Sequence, residues 1–144
     1  MTMPERVWFI TGAGRGLGLA TARAALEAGH KVVAAARRPD AAEEALGDLP
    51  GAAENLLAER LDVTRAEDAR LAVNAALNRF GRIDVLVNAA GYGQIGAFEA
   101  NTPEEVARQF DVNVFGLMRV TRAALPSMRA RRSGRIYNVS SIAG

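Results

Sequence analysis

Five short apolar runs alternate with stretches of helical periodicity, and this alternation constrains the fold more than any other feature. The runs are VWFIT (Val7–Thr11), KVVAAAR (Lys31–Arg37), a third inside NLLAERLDV (Asn55–Val63), IDVLVN (Ile83–Asn88) and RIYNVS (Arg135–Ser140). A strand that is apolar throughout has no polar face to offer water, so both faces of its sheet need cover. Crossover helices supply that cover, and their right-handedness leaves a doubly wound parallel sheet, an α/β fold of Rossmann type. No linker, repeat or low-complexity segment interrupts the pattern, so residues 1–144 read as one domain with a real core.

Punctuation between the runs places the helices. One runs from about Leu17 to Ala28 and ends at Gly29. Three pairs stand at capping-box spacing: Asp40 with Glu43, Thr64 with Glu67, and Thr102 with Glu105. The helix after Thr64 should stop at Gly81. The helix from Pro103 to about residue 130 would carry Val106, Phe110, Val114, Leu117, Thr121, Leu125 and Met128 on one face. Pro126 should kink it or end its regular part.

Composition removes several chemistries. The chain has no cysteine, which excludes disulfides, thiolate metal sites and cysteine nucleophiles. His30 is its only histidine, so a His-cluster metal site and a His-based triad are excluded. No metal site is expected. Net charge is +2, from 17 arginines and one lysine against 16 acids. That arginine skew, with abundant alanine, points to a GC-rich bacterial genome. The densest basic run holds Arg129, Arg131, Arg132 and Arg135 without interleaved aromatics. It reads better as charge complementing a helix C-terminus than as a nucleic-acid patch. No apolar run reaches bilayer-spanning length and no signal-peptide pattern is visible, so no membrane partner and a cytoplasmic location are expected.

The loop TGAGRGLG (Thr11–Gly18) joins the first strand to the first helix. A phosphate there needs close backbone approach and free N–H groups at a helix start, and Gly12, Gly16 and Gly18 in this context provide both. The bland alternative is a tight turn without a ligand. The spacing is T-G-x-x-x-G-x-G, not G-x-G-x-x-G. It resembles the short-chain dehydrogenase/reductase superfamily, in the branch with the compact motif. The resemblance implies a nicotinamide dinucleotide bound by Gly12, Arg15, Gly16, Leu17 and Gly18, and a sheet ordered 3-2-1-4-5 whose fifth strand is an unprotected edge.

An NAD site usually has an acid at the end of the second strand, whereas a basic group suits the 2′-phosphate of NADP. The acid position falls near Ala36, with Arg37 next and Arg15 inside the glycine loop. A guanidinium pairs with phosphate through two charge-assisted bonds, so NADP(H) is expected over NAD(H). LDVT (Leu61–Thr64) is similar to the family's adenine-contact motif, which implies that Asp62 bonds the adenine amino group and Val63 packs near the ring. Alternatively Asp62 is a turn residue at a strand end.

VNAAG (Val87–Gly91) resembles the family's N-N-A-G, with Ala89 in place of the second asparagine. The resemblance implies that Asn88, Ala89 and Gly91 line the nicotinamide ribose side. NVFG (Asn113–Gly116) places Asn113 at the family's relay-water asparagine. NVSSIAG places Ser141 at the serine that orients a carbonyl or alcohol substrate, with Ser140 the adjacent candidate. The family's acid is a tyrosine in Y-x-x-x-K, and no tyrosine in this chain has lysine four residues on. The chain therefore reads as the N-terminal part of such an oxidoreductase, truncated before the last strands and inactive alone. A non-catalytic dinucleotide-binding sensor or interaction module is the alternative. The parent is expected to be a homo-oligomer through the long helix 103–130.

Overall fold

Strand β1 (Val7–Thr11) lies at the centre of one parallel sheet with β2 (Lys31–Ala36), β3 (Leu56–Arg60), β4 (Val85–Asn88) and β5 (Arg135–Asn138). The order is 3-2-1-4-5, as expected. The structure is a computed structural model and describes residues 4–142. Phe9 stands opposite Val33 on one side and Leu86 on the other.

Alternation along β1 and its neighbours divides the core in two. Phe9, Val33 and Leu86 point to the face covered by α4 (Ala66–Phe80) and α6 (Leu117–Arg131), where Ala69, Ala72, Val73, Ala76, Val120 and Ala124 are buried. Ile10, Val32, Ala34, Val85 and Val87 point to the other face, under α1 (Gly16–Glu27) and α2 (Pro39–Leu46). Alanines on the inner helix faces let the helices approach the sheet closely. A one-turn helix, α3 (Ala52–Asn55), leads into β3, and α5 (Pro103–Phe110) precedes α6.

Only one of the three capping boxes forms. Thr102 Oγ1 accepts from the Glu105 N–H at 3.2 Å, and the Thr102 N–H donates to the Glu105 carboxylate at 2.9 Å. Helix α2 begins two residues earlier than the Asp40 pattern suggests, because Pro39 takes the first helical position after Arg38. Thr64 is drawn away from α4: its N–H and hydroxyl both donate to Asp62 Oδ1, at 2.9 and 2.7 Å.

The expected continuous helix from Pro103 is broken by a π-helical stretch at Asp111–Gly116. Its wider turn rotates α6 relative to α5. The stripe drawn from 3.6-residue periodicity therefore does not stay on one face. Val106, Phe110 and Val114 are exposed, while Gly116, Val120, Ala124 and Met128 are buried. The helix continues through Pro126 and ends at Arg131, followed by Arg132 with φ 51°. β5 is exposed along its length and pairs only with β4 among the described residues.

Asp84 ties the opposite end of the sheet together. It accepts from the Val7 N–H (2.8 Å), Arg82 Nε (2.8 Å) and Arg131 (2.9 Å). At least one member of the basic run is therefore structural. Burial pushes the Asp84 carboxyl up, but the Val7 N–H and the guanidiniums of Arg131 and Arg82 outweigh it and hold the pKa below the ordinary value. A carboxyl with a depressed folded-state pKa stabilises the fold above its unfolded pKa, about 4, and loses that contribution as pH falls through the folded value. Stability is thus expected to fall below about pH 4, and Asp84→Asn should flatten that acid limb in thermal melts taken across pH.

Candidate functional site

Strand order reverses about β1, and the connections after β1 and β4 leave the sheet toward opposite faces. The crevice between them lies at the carboxyl edge, where doubly wound sheets bind ligands. Thr11 closes its floor: its Oγ1 accepts from the N–H groups of Ala89 (3.1 Å) and Ala90 (3.0 Å). Sequence reasoning passed over Thr11. The available signal was a hydroxyl as the last residue of an apolar strand.

The three motif glycines do different work. Gly12 has φ 63°, and a Cβ there would lie 2.8 Å from Ala90 Cα. Gly18 packs α1 onto the loop, since a Cβ would lie 2.3 Å from the Gly12 carbonyl oxygen. Gly16 has φ 55°, and a Cβ would meet nothing within 4 Å. Gly12 and Gly18 therefore serve packing, whereas Gly16 keeps open the space before α1. Arg15 precedes that helix in extended conformation, and no side chain caps the helix start. Leu17 is exposed beside it.

At the far end of β2, Ala36 stands in register with Arg60, and exposed Arg37 follows. Neither the Arg15 nor the Arg37 side chain has a hydrogen bond or ion pair among the described residues. Asp62 is held in its ionised form: the Thr64 hydroxyl lowers its pKa, burial opposes, and the Thr64 N–H and the charges of Arg37 and Arg60 add to the lowering. Both Thr64 bonds go to Oδ1. Val63 is buried against Gly116, where a Cβ would lie 2.6 Å from Val63 Cγ2.

Asp68 was not singled out from the sequence. It is buried on α4, and accepts from Arg60 (2.6 Å), the Asp62 N–H (3.2 Å) and Arg65 (3.3 Å). It thereby fixes the backbone that carries Asp62. An acid next to the buried alanine face of a helix was the signal, because a buried carboxylate needs partners.

Asn88 is buried at the end of β4, donating to Thr121 Oγ1 (3.1 Å) and Asn138 Oδ1 (3.0 Å). It links β4 to α6 and β5. Ala89 gives its N–H to Thr11, and Gly91 passes Asn113 so closely that a Cβ would lie 3.1 Å from Asn113 Oδ1. Asn113 sits in the π stretch and grips one residue twice. Its Oδ1 accepts from the Tyr92 N–H (3.0 Å) and its Nδ2 donates to the Tyr92 carbonyl (2.8 Å). Past β5, the Val139 N–H donates to the Asn88 carbonyl (3.0 Å), and exposed Ser140 and Ser141 follow. The glycine loop, Asn88–Gly91 and Ser141 thus share the carboxyl edge, with Asp62 beside Arg37 at the β2–β3 end.

Among the described residues, no group of three or more His, Cys, Asp or Glu could hold a metal ion. No described helix is long and apolar enough to cross a membrane.

A glycine-lined helix start at the point where strand order reverses defines the dinucleotide-binding class of doubly wound domains. The family profile described as short chain dehydrogenase matches residues 6–144. The chain belongs to that family. An oxidoreductase of Botryotinia fuckeliana is 40% identical over 139 residues, 96% of this chain and 50% of that protein. A short-chain dehydrogenase from Streptomyces avermitilis is 44% identical with a TM-score of 0.87, over 96% of this chain and 50% of that one. An alcohol dehydrogenase from the archaeon Thermococcus sibiricus, complexed with 5-hydroxy-NADP, is 32% identical (TM-score 0.83, 92% of this chain, 57% of that one). A short chain dehydrogenase/reductase from Burkholderia phymatum in complex with NAD is 30% identical (TM-score 0.90, 99% and 51%). The chain spans about half the length of the curated relatives it matches.

Proposed function

We propose that the protein containing this chain is an NADP(H)-dependent oxidoreductase acting on a small carbonyl or alcohol substrate. The observation that carries the reading is the start of α1, where Gly16 leaves open space, no side chain caps the helix, and Arg15 stands unpaired. These residues fit a dinucleotide: Gly12, Gly16, Leu17 and Gly18 surround the pyrophosphate. Arg15 and Arg37 take the 2′-phosphate in paired charge-assisted bonds. Asp62 accepts from the adenine amino group through Oδ2, and Val63 forms the floor below the ring. Asn88, Ala89 and Gly91 line the nicotinamide side. When bound, the nicotinamide supplies or accepts the hydride.

Ser141 orients the substrate oxygen by donating a hydrogen bond to it. Asn113 holds the loop backbone at Tyr92, and its remaining amide proton and lone pair hold a relay water. Residues 1–144 contain no tyrosine with lysine four residues on, so proton exchange needs an acid from elsewhere, and this chain alone should turn over negligibly. The exposed apolar residues Val106, Phe110, Val114, Phe115 and Met118 support a homo-oligomer through residues 103–130. The cytoplasm is the proposed location.

Solved relatives carry either cofactor, so the preference rests on Arg15 and Arg37. Titrating the chain with NADPH and NADH by fluorescence should give NADPH at least about tenfold tighter binding, the contribution of one charge-assisted contact. Equal affinities, or tighter NADH, would sink the preference. A non-catalytic dinucleotide-binding module is the second reading. NADPH-dependent carbonyl turnover by the natural protein separates the two.

A further inference from the structure

We infer that Arg119 is a positioning residue for Asn113, acting by clamping the π stretch between α5 and α6 to the end of β3. Arg119 lies on α6, one turn past the stretch, and its guanidinium reaches back in three directions. Nη2 donates to Asp111 Oδ1 at 2.7 Å, and Nη1 donates to the Asp111 carbonyl and to the Val63 carbonyl, each at 3.3 Å. Asp111 is the first residue of the π stretch, and Val63 follows β3 beside Asp62. One planar group thus binds the strand-side backbone, the start of the wide turn and the helix that follows it. A planar fork with fixed donors can do this; an ammonium, a point charge, holds fewer of these contacts at once.

The clamp sets where Asn113 stands. A π stretch is a local departure from helical spacing, and such departures persist only where surrounding contacts hold them. Gly116 provides the second contact, seated against Val63 with no room for a Cβ. With both ends of the stretch pinned to Val63, the Asn113 amide meets the N–H and the carbonyl of Tyr92 together. In an unbroken α-helix, Asn113 would point elsewhere relative to α6 and lose that double contact. The chain of contacts runs from Val63, on the adenine side, through Arg119 and Asp111 to Asn113 and the Gly91–Tyr92 loop. Its functional meaning rests on the reading of Asn113 as part of the site; its structural content does not.

Amide hydrogen exchange of the 144-residue chain, followed residue by residue by NMR, tests the inference. The reporter is the Tyr92 N–H, which donates to Asn113, and the internal controls are the Ala89 and Ala90 N–H groups, which donate to Thr11. Arg119→Met keeps the length of the stem and removes the fork. It should speed Tyr92 exchange about tenfold or more while the two alanines change less than about twofold, the signature of a local opening. Asn113→Ala should speed Tyr92 at least as much, and Arg119→Lys should restore part of the protection. Unchanged Tyr92 exchange in Arg119→Met, or equal acceleration at all three amides, would overturn the inference. If Arg119→Met does not fold, Arg119→Lys carries the test by itself: selective acceleration at Tyr92 supports the clamp, and wild-type or uniformly altered exchange refutes it. Failure of the wild-type chain to bind NADPH would sink the cofactor reading and leave this result standing.

Discussion

Gly18→Ala is expected to lower the melting temperature by about 10 °C and to abolish dinucleotide binding. The added Cβ would sit 2.3 Å from the Gly12 carbonyl oxygen and 2.7 Å from the Gly12 carbonyl carbon. Both are backbone atoms, in a loop already pinned by the 2.8 Å approach that a Gly12 Cβ would make to Ala90. No flexible side chain can swing away, so α1 must move off the strand it packs on. Overpacking of this kind costs about 3 kcal/mol, which for a domain this size corresponds to a fall of about 10 °C. Gly16→Ala is the contrast. Its Cβ meets nothing, so the cost should be only the positive φ, about 1 kcal/mol, while the phosphate space is narrowed. Thermal melts and NADPH titrations of the two variants separate packing from binding. A Gly18→Ala protein as stable as wild type would show that the close helix approach is not needed.

Arg37→Asp should weaken NADPH binding by about 100-fold and leave NADH binding within a few-fold of wild type. Arg37 follows β2, is exposed, and its side chain forms no hydrogen bond or ion pair among the described residues. Its loss should therefore move stability by no more than about 0.5 kcal/mol. A charge-assisted bond to a phosphate is worth about 1.5–3 kcal/mol, and an aspartate adds repulsion where an attraction stood. The same position offers a carboxylate to a ribose 2′-OH, so the selectivity ratio should swing toward NADH. Parallel titrations of wild type and variant with both cofactors decide the matter. A parallel loss of both would mean that Arg37 shapes the pocket and does not read the phosphate.

Much of this protein was legible in the chain itself. Apolar runs such as VWFIT and IDVLVN announce buried strands because both faces of their sheet exclude water. The glycine loop was legible because only glycine adopts φ 63° at Gly12 and φ 55° at Gly16 without strain. Gly81 as a helix stop and the Thr102 box were legible for the same local reason: each is decided within four residues. The roles of Asp84, Thr11 and Arg119 were not, because their partners lie far along the sequence; the partners of Asp68 lie within eight residues, but only the turn after β3 brings Arg60 and the Asp62 N–H onto its carboxylate. Asp84 binds Val7, 77 residues away, and Arg119 binds Val63, 56 residues away.

Spacing also misplaced two capping boxes and one helix face. Thr64 had a choice between α4 and Asp62, and the strand-end turn won. The stripe from Val106 to Met128 assumed one unbroken helix, and the π stretch rotated its second half. The sequence by itself therefore determined the strands, the glycine turn and the class of fold, since these depend on local conformation and on which surfaces avoid water. Only the tertiary structure decided how the polar side chains pair and where the long helix breaks. Buried hydrogen-bonding groups must be satisfied by whatever the fold brings near them, and that neighbourhood does not exist until the sheet has formed.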